Sequence, residues 1–161
     1  MMRRRLLPFA LSLLLAGAAH AQSGSPSVPA PQDVAYPGVI KLEVDATNLS
    51  QRIFRIKQTI PVQPGKLTLL FPMWVPGGHS PRNSLDKIAG LTFKANGQRL
   101  DWRRDPLDVA AFHLDVPAGA SEITAGFEFL TATGSGQGRV VMTPNMLNLQ
   151  FLSASLYPAG H

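Results

Sequence analysis

The side chains best suited to chemistry in this sequence are its histidines, its carboxylates and its serines. A zinc site needs three or four convergent ligands, usually His, Cys or carboxylate. The sequence contains neither H-E-x-x-H nor C-x-x-C, and it has no cysteine. After the first 21 residues the histidines are His79, His113 and His161, which are widely separated. The sequence therefore gives no reason to expect a metal site.

Other catalytic patterns are equally weak. His113 alternates with Phe112 in a strand-like segment, so we expect it to be an exposed strand residue. There is no G-x-S-x-G elbow for a serine nucleophile. The Gly-rich stretch 133–138 lacks the G-K-[ST] ending and the helix of a phosphate-binding loop, so it predicts a hairpin connection. The aspartates are scattered over turns and strand ends, and no acid–base pair is indicated. We expect no catalytic residue.

The N-terminus has the organisation of a secretory signal peptide. A basic segment, Arg3–Arg5, precedes an apolar stretch, Leu6–Ala18, which is short for a membrane span. Ala19–Ala21 has the small-x-small form of a cleavage site, so residues 1–21 are predicted to be removed. The short, Arg-rich form is typical of bacteria. We expect a periplasmic or secreted protein with no stable membrane insertion after cleavage.

Net charge and cysteine content indicate which partners and which stabilising bonds the protein can have. The sequence carries a net charge of +5, and the predicted leader contributes three of its arginines. The remaining 12 basic and 10 acidic side chains give +2. This balance offers no electrostatic case for nucleic acid as a partner. Without cysteine the exported fold has no disulfides and depends on its hydrophobic core.

The rest of the chain divides into a linker and one domain. Residues 22–37 are rich in Ser, Pro, Ala and Gly, which predicts a disordered or extended linker. Residues 38–161 are predicted to form a single β domain. Apolar and polar residues alternate there with a period of two, and turn residues separate the alternating segments. The strands are predicted at 39–47, 53–60, 66–71, 91–95, 98–103, 110–116, 122–130, 140–142 and 147–152.

This spacing predicts an all-β fold, an antiparallel β-sandwich or a saddle-like sheet assembly of about eight short strands. The first two strands are predicted to form an antiparallel pair. Asn96-Gly97 predicts a type I′ hairpin turn. Asn83 or Ser84 is predicted to cap one short helical turn that ends at Lys87.

The chain is organised around the loop 69–83, LLFPMWVPGGHSPRN. Prolines and glycines exclude a regular strand or helix there. Because the loop follows a strand that is apolar on both faces, we expect Trp74 to be buried, with its indole N–H bonded to a backbone carbonyl. Gly77 is expected at positive φ, and His79 is expected to be solvated at the loop tip.

The block W-V-P-G-G-H-S-P-R resembles the N-terminal β domain of the glycyl aminopeptidase family, which are zinc metallopeptidases that carry a PDZ domain. The residues that carry the resemblance are Trp74, Pro76, Gly77, His79 and Arg82. An apolar strand precedes the block, and a strand and a hairpin with G-x-x-L follow it, in the family's order. The resemblance covers residues 39–160. The family's usual Tyr is replaced by His79.

The resemblance implies a fold and a role for the loop in structure or domain docking. It transfers no zinc ligand and no catalytic base, because the family's H-E-x-x-H domain and PDZ domain have no counterpart here. We expect the chain alone to be no enzyme and to hold no cofactor, zinc belonging to a separate catalytic metallopeptidase domain as partner. We expect a truncated or split family member. The alternative is a standalone periplasmic β-sandwich that binds carbohydrate or peptide through Trp74.

Overall fold

The computed structural model describes residues 28–74, 77–133 and 140–161. The predicted signal peptide lies outside these residues, as does most of the Gly-rich stretch. The elements are short strands and two 3₁₀ turns, which confirms the all-β prediction. They are β1 Lys41–Asp45, β2 Ile53–Pro61, β3 Gly65–Leu70, η1 Leu85–Lys87, β4 Ile88–Ala95, β5 Gln98–Leu100, β6 Trp102–Arg104, β7 Ala111–Val116, β8 Glu122–Leu130, β9 Val141–Thr143, β10 Met146–Asn148, η2 Phe151–Ala154 and β11 Tyr157–Pro158.

The strands form two antiparallel sheets and one small hairpin. The larger sheet has the order β1-β2-β8-β4-β5, and the smaller has the order β11-β3-β7-β6. β9 and β10 pair only with each other within the described residues. The predicted β1–β2 pair is confirmed. β2 and β8 are central in the larger sheet and pair along nine residues, from Ile53 opposite Leu130 to Pro61 opposite Glu122.

Alternation along the strands builds the core. Every second residue of β8 is buried: Ile123, Ala125, Phe127 and Phe129. The smaller sheet contributes Leu69 and Phe112, each fully buried. A period of two places one face of each strand in the interior, so the sequence pattern and the core agree.

One predicted strand is split between the sheets. Residues 98–103 were expected to form a single strand, which is wrong. β5 pairs with β4 in the larger sheet, whereas β6 pairs with β7 in the smaller sheet. The chain passes from the larger to the smaller sheet at Asp101, between the end of β5 and the start of β6. The Asn96-Gly97 turn before β5 has φ of 49° and 77°, which confirms the type I′ geometry.

A buried glutamine ties the C-terminal segment to the centre of the larger sheet. The side chain of Gln58 in β2 donates to the carbonyl oxygen of Leu156 at 2.7 Å and accepts from the Leu156 amide at 2.8 Å. Both residues are 1% exposed. The predicted strand at 147–152 is likewise corrected, since it consists of part of β10 and the start of η2.

Residues 28–37, within the predicted linker, have no regular strand or helix. Tyr36 nevertheless contacts the domain. Its hydroxyl donates to the carbonyl oxygen of Pro61, and its ring meets His161 edge to face at 4.9 Å between centroids. Burial raises the pKa of the Tyr36 phenol.

Candidate functional site

The loop from Phe71 to Ser84 joins β3 to η1 and carries the residues of the W-x-P-G block. Its base is closed at Met73. The carbonyl oxygen of Met73 accepts from the backbone amides of Arg82 at 2.9 Å and of Asn83 at 3.2 Å. The two ends of the loop therefore leave the domain side by side. Residues 75 and 76 lie outside the described residues, so the structure does not place Pro76.

Asn83 anchors the loop through its side chain. Its Nδ2 donates to the carbonyl oxygens of Pro72 at 2.8 Å and of Leu152 at 3.1 Å, and its Oδ1 accepts from Oγ of Ser153 at 2.7 Å. Asn83 is 7% exposed and Ser153 is 2% exposed. Both donors of the amide and its oxygen are thus satisfied in the interior, and the loop is joined to η2.

The predicted short helical turn that ends at Lys87 is confirmed as η1, and Ser84 occupies its N-cap position. The predicted side-chain cap is wrong, since neither residue makes a capping bond and the Asn83 amide binds Pro72 and η2 instead. Sequence reasoning missed this anchor. The one available signal is an asparagine at the end of a Pro-rich loop, which by itself does not identify partners about 70 residues away.

Trp74 lies at the surface, with 61% of its side chain exposed. The predicted burial is therefore wrong, and its indole has no hydrogen bond to a carbonyl of the described residues. The physical reason is that β3 ends at Leu70 and Phe71, 1% exposed, is the last fully buried residue before the loop. The chain leaves the sheet at Pro72, so Trp74 lies beyond the core.

The other residues of the block are also exposed. Gly77 has φ of +75°, as predicted. His79 is exposed, which confirms its expected solvation, and Arg82 is exposed as well. Within the described part of the chain no hydrogen bond or ion pair joins the side chains of Trp74, His79 and Arg82. The structure therefore places these residues on one loop without gathering them into a catalytic group.

A shallow depression of about 200 Å³ lies beside Trp74. It is lined by Trp74, Tyr157 and Asp108 together with apolar residues such as Leu70 and Ala110. Tyr157 is 41% exposed. Burial raises the pKa of the Tyr157 phenol, and the negative charge of Asp108 adds to this shift. The Asp108 carboxylate therefore acts on the same depression that the two aromatic rings border.

His113 is buried, which corrects the expectation of an exposed strand residue. Its exposed fraction is 7%. Nδ1 lies 2.9 Å from Oγ1 of Thr68, and Nε2 lies 2.8 Å from Oδ2 of Asp105. Asp105 accepts two backbone amides on Oδ1, from Leu107 at 2.8 Å and Asp108 at 2.9 Å. The turn after β6 covers the imidazole. Alternation along β7 does not predict this contact, because it indicates only which face a residue lies on.

These bonds hold the pKa of Asp105 at about 2. The amide of Asp108 is the largest cause, followed by the hydrogen bond to His113 and the amide of Leu107. The carboxylate is therefore ionised at neutral pH and orients the imidazole.

Hydroxyl, imidazole and carboxylate follow one another here in the order of a Ser–His–Asp triad. Thr68, however, lies inside β3 directly opposite His113 and is only 9% exposed. A nucleophile must reach a substrate carbonyl, and donors must face the developing oxyanion. The network instead joins β3, β7 and the turn after β6, and we interpret it as structural.

A larger cavity of about 810 Å³ borders the same network. Lys66 and Asp115, which form an ion pair at 2.6 Å, also line it. Thr68 and His113 contribute to its wall, although both are more than nine-tenths buried. Among the described residues no three His, Cys, Asp or Glu side chains are grouped to hold a metal ion. In the same part of the chain no helix has the length and apolar character needed to cross a membrane.

The comparison with protein families decides the relationship. The profile described as the peptidase M61 N-terminal domain matches residues 41–161. The chain belongs to this family. The predicted relationship to the N-terminal domain of a peptidase family is thereby confirmed. No curated protein sequence matches the chain.

A solved structure shows the same fold as this M61 N-terminal domain. It is the crystal structure of an aminopeptidase N family protein from Idiomarina loihiensis, with a TM-score of 0.59 and 18% sequence identity. The match covers 74% of this chain and 20% of that protein. This chain therefore spans one fifth of the length of that relative.

Proposed function

We propose that the chain serves as the non-catalytic β domain of a peptidase and packs beside a separate zinc catalytic domain. The observation that carries this proposal is the M61 N-terminal family match over residues 41–161. The catalytic domain, with its zinc, is the proposed partner. The W-x-P-G loop is assigned to docking rather than to chemistry.

The docking surface we propose includes the hairpin of β9 and β10 with η2. We call Met146, Leu147 and Phe151 the hairpin patch. These side chains are 55%, 49% and 70% exposed. Exposed apolar side chains grouped in one region are typical of an interaction site. Asn83 fixes this region to the Trp74 loop through Leu152 and Ser153, so both can face one partner.

A reconstitution experiment tests docking. The purified chain is added to an M61 peptidase from which its own N-terminal domain has been removed, and association is measured by calorimetry together with aminopeptidase turnover. We expect binding that Phe151→Ser weakens by about tenfold, which corresponds to burial of much of one large apolar side chain. The matched control is Val39→Ser, since Val39 is 75% exposed and lies outside the hairpin patch. Absence of association, or equal weakening by both variants, contradicts the proposal.

We also propose that a catalytic domain with H-E-x-x-H accompanies this β domain, either in the same polypeptide or as a separately encoded chain. The support is the resemblance to a family whose β domain is followed by such a domain. Genomic sequence downstream of the codon for His161 is the test. An H-E-x-x-H segment in the same frame indicates one polypeptide, and one in a separate reading frame indicates two chains. Absence of any such segment in the neighbouring sequence contradicts the proposal.

We propose that the protein is exported, because its N-terminus has the pattern of a signal peptide. The basic segment, the apolar stretch and Ala19–Ala21 support cleavage after Ala21 and a periplasmic or secreted location. Expression in a bacterium, fractionation and mass spectrometry test this. The expected mature protein begins at Gln22 and is found outside the cytoplasm. An intact cytoplasmic chain contradicts the proposal.

A second candidate function is a standalone ligand-binding β-sandwich, and the exposure of Trp74 favours it. Solvent-exposed aromatic faces stack on sugars and peptides. Glycan arrays and peptide libraries test this candidate. We expect binding that is lost in Trp74→Ala and retained in His79→Ala, a variant of another exposed residue of the same loop. Binding that does not change in Trp74→Ala refutes it.

A further inference from the structure

We propose that the depression bordered by Trp74, Tyr157 and Asp108 binds the ammonium group of a peptide, either its α-amine or a lysine side chain. This inference gives a ligand class to the second candidate function and rests on it. Two aromatic rings and one carboxylate border the same depression of about 200 Å³. Aromatic faces and a carboxylate are the groups that attract a partly desolvated cation.

The three side chains are accessible to a ligand, and the carboxylate supplies negative charge. Trp74 is 61% exposed and Tyr157 is 41% exposed. Asp108 is exposed, and its charge is felt at the Tyr157 phenol, whose pKa it helps to raise. A cation placed in the depression would therefore meet the electron-rich ring faces and a negative charge together.

The backbone that carries the three residues is held in place before any ligand binds. Met73, next to Trp74, accepts two backbone amides at the loop base. Tyr157 pairs with Leu70 in the smaller sheet. The Asp108 amide donates to Asp105, and Oδ1 of Asp108 accepts from the Ala110 amide at 3.0 Å. A pre-positioned site spends less binding free energy on ordering its own groups.

Arg104, a cation close in sequence to Asp108, is engaged elsewhere. Its guanidinium lies 4.8 Å from the centroid of the Phe112 ring and donates to the carbonyl oxygen of Val109. No salt bridge joins Arg104 to Asp108 within the described residues. Arg104 therefore does not occupy the Asp108 carboxylate.

Titration followed by NMR tests the proposal on the purified chain. The readout is the indole N–H resonance of Trp74, which is assigned as the indole signal that disappears in Trp74→Phe. Glycylglycinamide supplies an α-ammonium and Nα-acetyl-lysinamide supplies an ε-ammonium, whereas N-acetylglycylglycinamide is the neutral control. Ionic strength is held constant because exposed charges are screened by salt.

We expect saturable shifts with one or both charged probes and none with the neutral control, and the two charged probes distinguish the two sources. Asp108→Asn should weaken binding by about fivefold, the scale of one exposed ion pair. This variant keeps an oxygen for the Ala110 amide, so the turn is preserved. Trp74→Leu should weaken binding by about fivefold, and Trp74→Phe by less, because an aromatic face remains. These two variants lack the indole signal, so their dissociation constants are measured from the backbone amide resonances that the same probes shift in the unchanged protein.

Equal shifts with charged and neutral probes overturn the proposal, as does an unchanged dissociation constant in Asp108→Asn. The second candidate function fails separately. If an uncharged peptide or a glycan binds in a Trp74-dependent way while the charged probes do not bind, the ammonium inference is wrong and that function stands. If nothing binds in a Trp74-dependent way, both are wrong.

Discussion

Replacement of Asn83 by Ala removes three hydrogen bonds from the base of the Trp74 loop. The lost bonds are those to the carbonyl oxygens of Pro72 and Leu152 and the one from Ser153. Each partner stays in place, and Ser153 is 2% exposed. A buried polar group that loses its partner cannot turn to bulk water, so the loss exceeds that of a surface bond.

At about 1 kcal/mol for each bond, the expected loss in the free energy of unfolding is about 3 kcal/mol. This is a large part of the 5–15 kcal/mol that roughly describes a domain. Urea unfolding measures the loss. With a slope of about 1.5 kcal/mol per molar, the midpoint should fall by about 2 M.

Ser153→Ala provides the internal comparison. It removes one bond and should cost about 1 kcal/mol. The double variant should cost less than the sum of the two single variants, because the bond between the two side chains is counted twice in that sum. Asn145→Ala, at an exposed asparagine of the β9–β10 turn, is the control and should unfold at the original midpoint. If Asn83→Ala behaves like this control, Asn83 does not anchor the loop.

Three further outcomes are expected. The pKa of Asp105 is about 2, against an ordinary 3.8. Ionised Asp105 therefore contributes stability that is fully present above pH 3.8 and is lost as the pH falls towards 2. The urea midpoint should decline over that interval, and it should decline less in Asp105→Asn. Trp74→Ala should leave the free energy of unfolding almost unchanged because the side chain is mostly exposed, whereas Gly77→Val should lower it by about 1–3 kcal/mol because φ is +75°. Urea unfolding measures both variants, and the reverse order contradicts the described loop. The purified chain, with or without added zinc, should not cleave glycyl or alanyl aminopeptidase substrates, and turnover that a chelator abolishes would contradict the non-catalytic role.

Strands and hairpin turns were predictable because their determinants are local. β8 has the predicted bounds, Glu122–Leu130, since alternation over nine residues specifies both the strand and its buried face. Asn96-Gly97 specifies its turn because few other pairs tolerate positive φ at both positions. The family resemblance also depended on a contiguous block of residues around Trp74.

What the sequence did not reveal depends on contacts between distant segments. Alternation correctly places His113 and Phe112 on different faces of β7. The turn that begins at Asp105, however, covers the face of His113 and buries the imidazole. The strand before the loop is apolar on both faces, which suggested that Trp74 is buried, yet the direction in which the chain leaves the sheet at Pro72 determines its exposure. Asn83 finds its partners in η2, and no local pattern encodes that pairing.

The buried pair of Gln58 and Leu156 has a consequence for the timing of folding. The two residues are 98 positions apart. At about 5–20 residues per second, a ribosome completes Leu156 several seconds or more after Gln58 has been made. During that interval the Gln58 amide has no internal partner, so the middle of β2 favours hydration over burial between the sheets. We therefore expect the two sheets to close on each other only when almost the whole domain has been synthesised.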